Sequence, residues 1–284
     1  MDQENTTTFS SIGDFYSTRL TTVDEVCPIH HVHKVMYMGH GPICIECAKP
    51  GVEKVGQARV DEYFADVANY KQEQKSKDTQ GWLESKSIYL DKSLSKATFD
   101  SYLTDDQETS KNKSMAQKLA KQYLDGADFN TIFSGKPGTG KSHLAMSMLK
   151  EVNENSHPSR RCLFVSIDEL MRKIRSSFSN DDSPYTEEAM TDLLIKPDLL
   201  VIDDLGAETG AIASGKLATD FTTRVLYAIV NGRMTKPTIF TTNLSSRDMS
   251  KIYDAKLISR IFRDTKGHIV VFKETTDKRV IPEF

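Results

Sequence analysis

Residues 135–142 read Gly-Lys-Pro-Gly-Thr-Gly-Lys-Ser, and this stretch decides the fold of the chain. It matches the pattern G-x-x-x-x-G-K-[ST] at every fixed position. An apolar run that predicts a buried strand precedes it, and an amphipathic run that predicts a helix follows. Glycines let the backbone curl so that amide N–H groups and a helix N-terminus point at nucleotide phosphates. A chance glycine-rich turn would lack the flanking strand and helix. We therefore predict that ATP is bound by Gly135, Lys136, Pro137, Gly138, Thr139, Gly140, Lys141 and Ser142.

Lys141 and Ser142 have separate predicted roles in this loop. Lys141 places a cation on the β- and γ-phosphate oxygens, and Ser142 offers its hydroxyl to Mg²⁺.

Short β-rich runs alternate with amphipathic stretches after Lys96. Strands that alternate with helices of ten or more residues predict an α/β fold with a parallel sheet flanked by helices on both faces. Ligands in such sheets lie at the carboxyl ends of the strands. The five predicted strands are Asn130 to Ser134, Cys162 to Ile167, Leu199 to Ile202, Thr238 to Thr242 and Ile269 to Phe272. The predicted helices are Lys141 to Asn153, Asp168 to Ser177, Glu187 to Ile195, Lys216 to Arg233 and Arg247 to Arg263.

Two adjacent carboxylates, Asp203 and Asp204, follow the predicted strand Leu199 to Ile202. Alone they would indicate only a turn, but about 60 residues after a complete phosphate loop they predict a Mg·ATP site. Asp203 would hold Mg²⁺ through its water shell, and Asp204 would orient or deprotonate the attacking water. Asn243 ends the next strand, where its amide reaches the same water unless it is a helix cap. Arg260 is either a solvated helix charge or an arginine finger that acts across a subunit boundary.

The motifs GKPGTGKS, LLVIDDLGAE, TIFTTN and SRIFR occur in this order. Together they resemble the AAA+ ATPase core of bacterial and phage replicative helicase loaders of the DnaC and DnaI type. The resemblance covers roughly residues 94 to 272 and includes the segment Leu94 to Tyr102 that precedes the phosphate loop. It implies Asn243 as the sensor of the γ-phosphate and Arg260 as the finger, with Arg263 as the fallback. It also places Phe99 and Tyr102 near the adenine.

Many AAA+ proteins carry Glu where Asp204 stands in this chain. The shorter side chain sets the water farther away, so we expect slow, partner-stimulated hydrolysis of ATP to ADP and phosphate, with Glu208 as an alternative base. Only 21 residues follow Arg263, and they include the last predicted strand. We therefore expect no C-terminal lid domain, and a site that self-association through the ATPase domain completes.

Cys27 and His30 form C-x₂-H, and Cys44 and Cys47 form C-x₂-C after a 13-residue spacer. Three thiolates and one imidazole suit a tetrahedral Zn²⁺ site that leaves no open position, which predicts a structural zinc. His31, His33 and His40 are alternatives to His30, and scattered free thiols are the plain alternative to a metal site. DnaI-type loaders resemble this chain in carrying an N-terminal zinc module that contacts the helicase.

The composition divides the chain into three predicted parts. Residues 1–52 form the zinc-binding helicase-interaction module, residues 53–95 a helical and polar linker, and residues 96–284 the AAA+ domain. The net charge of −3 splits into −4 for residues 1–95 (10 basic, 14 acidic) and +1 for residues 96–284 (27 basic, 26 acidic). This balance excludes a constitutively basic nucleic-acid coat. The segment Arg160 to Arg175 has a local charge of +3, from five basic and two acidic residues.

In the loader clade, an additional helix after the second strand contacts single-stranded DNA, and Glu187 to Ile195 is the corresponding predicted helix. We accordingly expect weak, ATP-dependent binding of single-stranded DNA. The longest apolar run has six residues, Val225 to Val230, and the N-terminus lacks a basic and apolar leader. These features predict a cytoplasmic location and no membrane partner.

The interpretation that unites these features is an ATP-dependent loader that binds a hexameric DnaB-type replicative helicase and single-stranded DNA during initiation of replication. Two alternatives remain. One is a transposition helper ATPase of the IstB type, whose core is nearly indistinguishable. The other is an ATP-gated adaptor or inhibitor of the helicase that scarcely hydrolyses ATP.

Overall fold

The computed structural model describes residues 20–37, 40–180, 182–209 and 219–278. The chain divides into two compact units, Met1–Gln74 and Lys75–Phe284. None of the described helices is both long enough and apolar enough to cross a membrane.

The first unit contains a three-stranded antiparallel sheet beside the cysteines. Its strands β1 (Leu20–Val26), β2 (His33–Tyr37) and β3 (His40–Ile43) lie in the order β1-β2-β3. Helix α1 (Ile45–Gln80) follows directly and continues into the second unit. Its start was not anticipated, because the sequence predicts a helix only beyond Val52 and α1 begins between Cys44 and Cys47.

The second unit is built on the predicted five-stranded parallel sheet, and this prediction is confirmed. The strands lie in the order β5-β6-β7-β4-β8, and every neighbouring pair is parallel. In this order β7 is the central strand, and β4 lies between β7 and β8. The strands are β4 (Thr131–Gly135), β5 (Cys162–Ser166), β6 (Leu199–Leu205), β7 (Thr238–Thr242) and β8 (Ile269–Phe272).

Helices cover both faces of this sheet, because its inner strands are apolar on both sides. Phe133 and Phe164 face one core cluster with α3 and α4, whereas Ile132 and Leu163 face the other with α5, α7 and α9. The helices are α2 (Trp82–Lys86), α3 (Gln107–Leu124), α4 (Lys141–Asn155), α5 (Ile167–Ser177), α6 (Glu187–Ile195), α7 (Asp220–Gly232), α8 (Ser246–Ile252) and α9 (Ala255–Ile261), with 3₁₀ turns at Lys92–Lys96 and Ala207–Thr209.

The helix predicted from Arg247 to Arg263 is wrong as a single element. Two helices, α8 and α9, meet at Tyr253 and Asp254, where the backbone is extended. The Asp254 carboxylate accepts a hydrogen bond from the backbone N–H of Leu257 at 2.7 Å, so it caps a new helix instead of continuing the first. Helix α3 was not predicted. Residues 216–218, which the sequence assigns to a helix, lie outside the described residues.

Residues 75–95, the last part of the predicted linker, belong to the second unit. Leu83 and Ile88 are buried there. Ile88 extends the sheet edge, since its N–H donates to the carbonyl of Phe164 at 2.9 Å and its carbonyl accepts from Ser166 at 2.8 Å. The polar composition of this stretch concealed these apolar anchors.

Candidate nucleotide-binding site and metal centre

The predicted phosphate loop joins the carboxyl end of β4 to the first turn of α4. Gly140 is the N-cap of α4 and has φ +91°. A Cβ atom at this position would lie 2.7 Å from Cε2 of the buried Tyr102, so only glycine fits without displacing the ring. The loop borders a cavity of about 280 Å³ that is also lined by Asp203, Asp204 and Asn243. The structure therefore brings the predicted loop and the predicted polar residues to one cavity.

Lys141 connects the phosphate loop with the end of β7. Its side chain is buried, and Nζ donates to Oδ1 of Asn243 at 2.8 Å and to the carbonyl of Lys136 at 2.6 Å. Thr139 also donates to the carbonyl of Lys136 at 2.9 Å, which holds the loop in its curled conformation. An ammonium ion on the cavity wall is placed to meet anionic oxygens, and Asn243 is in direct contact with it.

Asp203 lines the cavity and is 6% exposed. Burial raises the pKa of Asp203 to about 6, and the neighbouring Asp204 acts in the same direction. Hydrogen bonds from Ser142 and Thr241, together with the charge of Lys141, oppose this rise in pKa. The contact between Ser142 and Asp203 unites the two groups predicted to hold Mg²⁺.

These side chains fit a Mg·ATP site by the chemistry of their donors. Backbone amides, Lys141 and a helix N-terminus suit phosphate oxygens, while the Ser142 hydroxyl and the Asp203 carboxylate are hard oxygen ligands of the kind Mg²⁺ prefers. Bound Mg²⁺ would neutralise charge on the phosphate oxygens. Asp204 and Asn243 line the same cavity and offer an acceptor and an amide to a water molecule.

Glu208, the alternative base, has a different position. It is 7% exposed and does not belong to the described residues that line the cavity. Its carboxylate accepts hydrogen bonds from the N–H of Gly206 at 2.8 Å and from the hydroxyl of Tyr253. Because both oxygens are engaged in packing, the geometry favours Asp204 for the water.

Arg260 and Arg263 are likewise distinguished by their surroundings. Arg263 has a side chain that is 14% exposed, and its guanidinium donates to the backbone carbonyls of Asp128 and Lys236. Arg260 lies over the ring of Tyr227 at 4.7 Å, with Nε donating to Asn231 at 2.9 Å. Neither belongs to the described residues that line the cavity of this chain. Nη1 of Arg260 also donates to the carbonyl of Lys256 in the same helix at 3.2 Å, whereas the guanidinium of Arg263 ties together two segments that are distant in the chain.

Sequence reasoning missed several residues at the cavity. His143 lines it, as do Leu90, Asp91 and Leu94, whereas Phe99 and Tyr102 do not belong to its described lining. Nε2 of His143 lies 2.9 Å from the carbonyl of Thr98 and 3.0 Å from the Ser101 hydroxyl. No sequence pattern predicts these partners, because they are more than 40 positions away from His143. Burial lowers the pKa of His143, which favours a neutral imidazole at pH 7.

The segment after β8 passes across the phosphate loop. The N–H of Lys278 donates to the carbonyl of Gly138 at 3.0 Å, and its ammonium lies 4.9 Å from the ring centre of Tyr102. Glu108, in the first turn of α3, receives the backbone N–H groups of Lys273, Glu274 and Thr275 at 2.8, 3.1 and 2.7 Å. We call residues 273–278 the C-terminal strap.

The four predicted zinc ligands converge in the first unit. One ligand atom from each of Cys27, His30, Cys44 and Cys47 lies within 4.8 Å of every other. Cys27 Sγ is 3.8 Å from Cys47 Sγ, and His30 Nδ1 is 3.8, 3.7 and 3.2 Å from the sulfurs of Cys27, Cys44 and Cys47. Zn–S bonds of about 2.3 Å in a tetrahedron separate two sulfurs by about 3.8 Å, so these residues fit a zinc ion.

Cations and aromatic rings alternate on a surface formed by α5, α7 and the loop that follows α5. Phe178 is 64% exposed and makes an edge contact with Phe221, with 5.5 Å between ring centres. Arg175 and Arg224 lie over Phe221 at 5.6 and 5.7 Å, and Lys173 lies over Tyr185 at 4.3 Å. We call these six residues the aromatic-basic surface.

The remaining arginines of the predicted basic segment make other contacts. Arg160 donates to the carbonyl of Tyr123, Arg161 lies over Trp82 and Arg172 pairs with Glu169. The five basic residues of Arg160 to Arg175 therefore do not act as one uniform patch.

Comparison with known proteins places this site in a family. The model of the IstB-like ATP binding protein family matches residues 68–274, which include the phosphate loop, the acidic pair, Asn243 and both arginines. The chain belongs to the IstB-like ATP binding protein family. It is thus an ATP-binding AAA+ protein with a P-loop, in agreement with the predicted fold and nucleotide.

Curated relatives of this IstB-like protein carry a more specific name. It is 31% identical over 151 residues to "Replicative helicase loader DnaC" of Escherichia coli K12, a match that covers 51% of this chain and 56% of the relative. The protein of the same name from Buchnera aphidicola subsp. Acyrthosiphon pisum is 29% identical over 167 residues, or 58% of this chain and 62% of the relative. The chain thus spans little more than half the length of the curated relatives it matches.

Solved structures support the fold alone. A crystal structure of DnaI superposes with a TM-score of 0.50 at 19% identity, covering 65% of this chain and 95% of that one. A crystal structure of the DnaC helicase loader superposes with a TM-score of 0.51 at 21% identity, covering 64% of this chain and all of the other.

Proposed function

We propose that this protein is an ATP-dependent loader that binds a hexameric replicative helicase of the DnaB type and single-stranded DNA during initiation of DNA replication. The observation that carries the proposal is the similarity to proteins named replicative helicase loader, in a chain whose phosphate loop, acidic pair and Asn243 border one cavity. The reaction is slow hydrolysis of ATP to ADP and phosphate, stimulated by the partners.

The first unit is proposed as the helicase-binding module. Five apolar side chains near the cysteine cluster are 39 to 72% exposed, and Ile29, between Cys27 and His30, is the most exposed. A cluster of exposed apolar side chains favours protein docking, because apolar surface is stabilised when a partner removes it from water. These residues are Val26, Ile29, Val32, Ile43 and Ile45.

The aromatic-basic surface is proposed as the contact for single-stranded DNA. An exposed ring such as Phe178 offers a stacking platform for a base, and the adjoining Arg175 and Arg224 offer cations to phosphates. The acidic partner Glu187, which pairs with Arg224 at 2.8 Å, keeps the local charge moderate. Such a surface supports weak, salt-sensitive binding.

Self-association is proposed through the side of the molecule that presents Arg260. Its guanidinium does not line the cavity of its own chain, so it can reach a γ-phosphate only in a neighbouring subunit. Catalytic roles follow for Asp204 and Asn243 in one chain and for Arg260 in the next.

Copurification with a hexameric DnaB-type helicase tests the loader function. We expect the chain to be retained by the helicase with ATP present, and an Ile29→Asp variant to lose retention while it still binds nucleotide. A matched control is Ile269→Asp, an exposed apolar residue of the second unit. Absence of a complex with and without ATP would overturn the assignment.

A transposition helper ATPase is the second candidate, and the name of the matched family favours it. It would bind a transposase and duplex DNA instead of a helicase, which a parallel retention assay distinguishes. An adaptor or inhibitor with little hydrolysis is distinguished by a turnover assay with helicase and single-stranded DNA present.

A further inference from the structure

The acidic pair lies in an irregularity of the sheet. Ile202 is opposite Phe240 and Leu205 is opposite Thr242, so two residues of β6 face one residue of β7. This extra residue is a β-bulge. Asp204, inside the bulge, has φ +57°, a left-handed conformation that is strained for a residue other than glycine.

The bulge explains why two adjacent carboxylates reach the same cavity. Side chains of consecutive residues in a regular strand point to opposite faces of the sheet. Asp203 and Asp204 are consecutive, and yet both line the cavity with Lys141. The left-handed residue changes the direction of the chain between them, and a regular strand would turn one of the two away.

Thr241 holds both residues of the bulge with one hydroxyl group. Its Oγ1 donates to Oδ1 of Asp203 at 2.7 Å and accepts the backbone N–H of Asp204 at 2.8 Å. The bulge removes that N–H from the regular ladder, and a buried N–H without a hydrogen-bond partner destabilises the fold. Thr241 is fully buried, so no water replaces it in this arrangement.

We propose that Thr241 is a positioning residue that maintains the bulge and thereby aims Asp203 and Asp204 at Mg²⁺ and the attacking water. This inference rests on the proposed ATP site. Nothing in the phosphate-loop pattern or in the roles of Asn243 and Arg260 requires a hydroxyl at this position. The requirement arises from the bulge, which only the paired register of β6 and β7 reveals.

Substitution of Thr241 in the full chain separates positioning from packing. Thr241→Val keeps the shape and removes the hydroxyl, and Thr241→Ser keeps the hydroxyl. We expect Thr241→Val to lower kcat for ATP by about tenfold or more with KM changed by less than about threefold. Thr241→Ser should stay within about threefold of the wild type in both parameters.

Magnesium dependence supplies a readout that does not need turnover. Affinity for a fluorescent ATP analogue is measured with and without Mg²⁺. We expect Thr241→Val to lose most of the gain in affinity that Mg²⁺ provides, because Asp203 is no longer held in position for the metal. The variant should bind the metal-free analogue like the wild type. Thr241→Ala, which leaves space for a water molecule, provides a second variant if the valine variant is poorly folded.

The matched control is Thr238→Val on the same strand. Thr238 is also buried and accepts one hydrogen bond, from Nε of Arg233 at 3.0 Å, at the opposite end of β7. The Thr238→Val variant should have a lower melting temperature than the wild type, with unchanged kcat and an unchanged effect of Mg²⁺ on affinity. An unchanged magnesium dependence in Thr241→Val, or a loss in Thr241→Ser as large as in Thr241→Val, would overturn the inference. Absence of hydrolysis by the wild type with every partner would overturn the proposed ATPase activity and leave the magnesium test decisive for Thr241.

Discussion

Asp203 illustrates how a binding residue weakens the fold that carries it. Its pKa rises from 3.8 to about 6, chiefly because the carboxylate is buried, so the folded state holds the proton more tightly than the unfolded state. Well below pH 3.8 both states are protonated, and Asp203 does not affect the free energy of unfolding. As the pH rises towards 6 and beyond, ionisation favours the unfolded state, and folding loses about 2–3 kcal/mol.

Asp203→Asn should therefore stabilise the free protein at neutral pH while it abolishes ATP turnover. The amide oxygen still accepts from Thr241, and the charge is removed. Urea unfolding from pH 4 to pH 8, without nucleotide or metal, measures the difference. We expect the two proteins to be similar at pH 4 and the variant to be more stable by about 2 kcal/mol at pH 8. The same substitution at the exposed Asp192 is the control, and a variant less stable than wild type at pH 8 would contradict the argument.

The residues that the sequence predicted share one property. The phosphate loop is contiguous, and Asp203, Asp204 and Asn243 lie near or directly after the carboxyl ends of strands, so the topology of a parallel sheet brings their backbones to one edge. The bulge in β6 then lets both carboxylates face the cavity. Thr241, His143 and the pair of Glu208 with Tyr253 could not be found this way. Their roles come from individual hydrogen bonds between positions about 40 apart, which no periodicity encodes.

At the scale of elements, one carboxylate holds the first half of the C-terminal strap, residues 273–275. Burial acts to raise the pKa of Glu108, but hydrogen bonds from Thr275, Lys273 and Glu274 overcome it, and the pKa falls to about 2 from 4.5. The folded state thus prefers the ionised carboxylate. This stabilisation is complete above pH 4.5 and is lost as the pH falls towards 2.

Glu108→Gln should weaken the attachment of the strap to α3. It should also make the free energy of unfolding depend less on pH at acidic pH. Glutamine keeps one carbonyl oxygen and loses the charge that several donors share, so we expect a loss of about 1–2 kcal/mol at pH 7. Chemical denaturation at pH 3 and pH 7 measures it, and the loss should be smaller at pH 3. Glu188→Gln, on the exposed side of α6, is the control. Equal losses at both pH values would show that the charge of Glu108 is not what holds the strap.

Helices and strands were predicted correctly where a single apolar face or a single apolar run determines them. Strands β7 and β8 and helix α6 have the predicted bounds. The predicted helix from Arg247 to Arg263 breaks because Asp254 caps a new helix, an effect of a few atoms that the apolar pattern does not contain. Helix α3 was hidden because only one of its sides is apolar, and its polar residues resemble a solvated linker.

At the scale of the whole molecule, we expect the first unit to depend on a zinc ion held by its Cys and His cluster. Its described buried apolar or cysteine side chains are few, namely Cys27, Val35 and Cys44, and a core this small rarely folds without a staple. We predict one zinc ion per chain by elemental analysis. Cys44→Ser with Cys47→Ser should lose the zinc and the protease resistance of residues 20–74, and retain nucleotide binding by the second unit. Cys162→Ala, which alters a buried thiol of the sheet, should keep the zinc. A wild-type protein that contains no zinc and still has a protease-resistant first unit would refute the prediction of a structural zinc.

An active site assembled from two chains can be tested by mixing two inactive variants. In the proposed mechanism Lys141 would act in the chain that binds the nucleotide, whereas Arg260 would act on the nucleotide of a neighbour. Lys141→Ala and Arg260→Ala should each reduce turnover by about a hundredfold when measured alone. A mixture of the two variants should regain activity, because intact Arg260 on the first variant completes the intact phosphate loop of the second. Arg247→Ala, an exposed cation of α8, should remain active and gain nothing from mixing. If Arg260 acted within its own chain, or only stabilised α9 against Tyr227, every mixture would show just the average of its components.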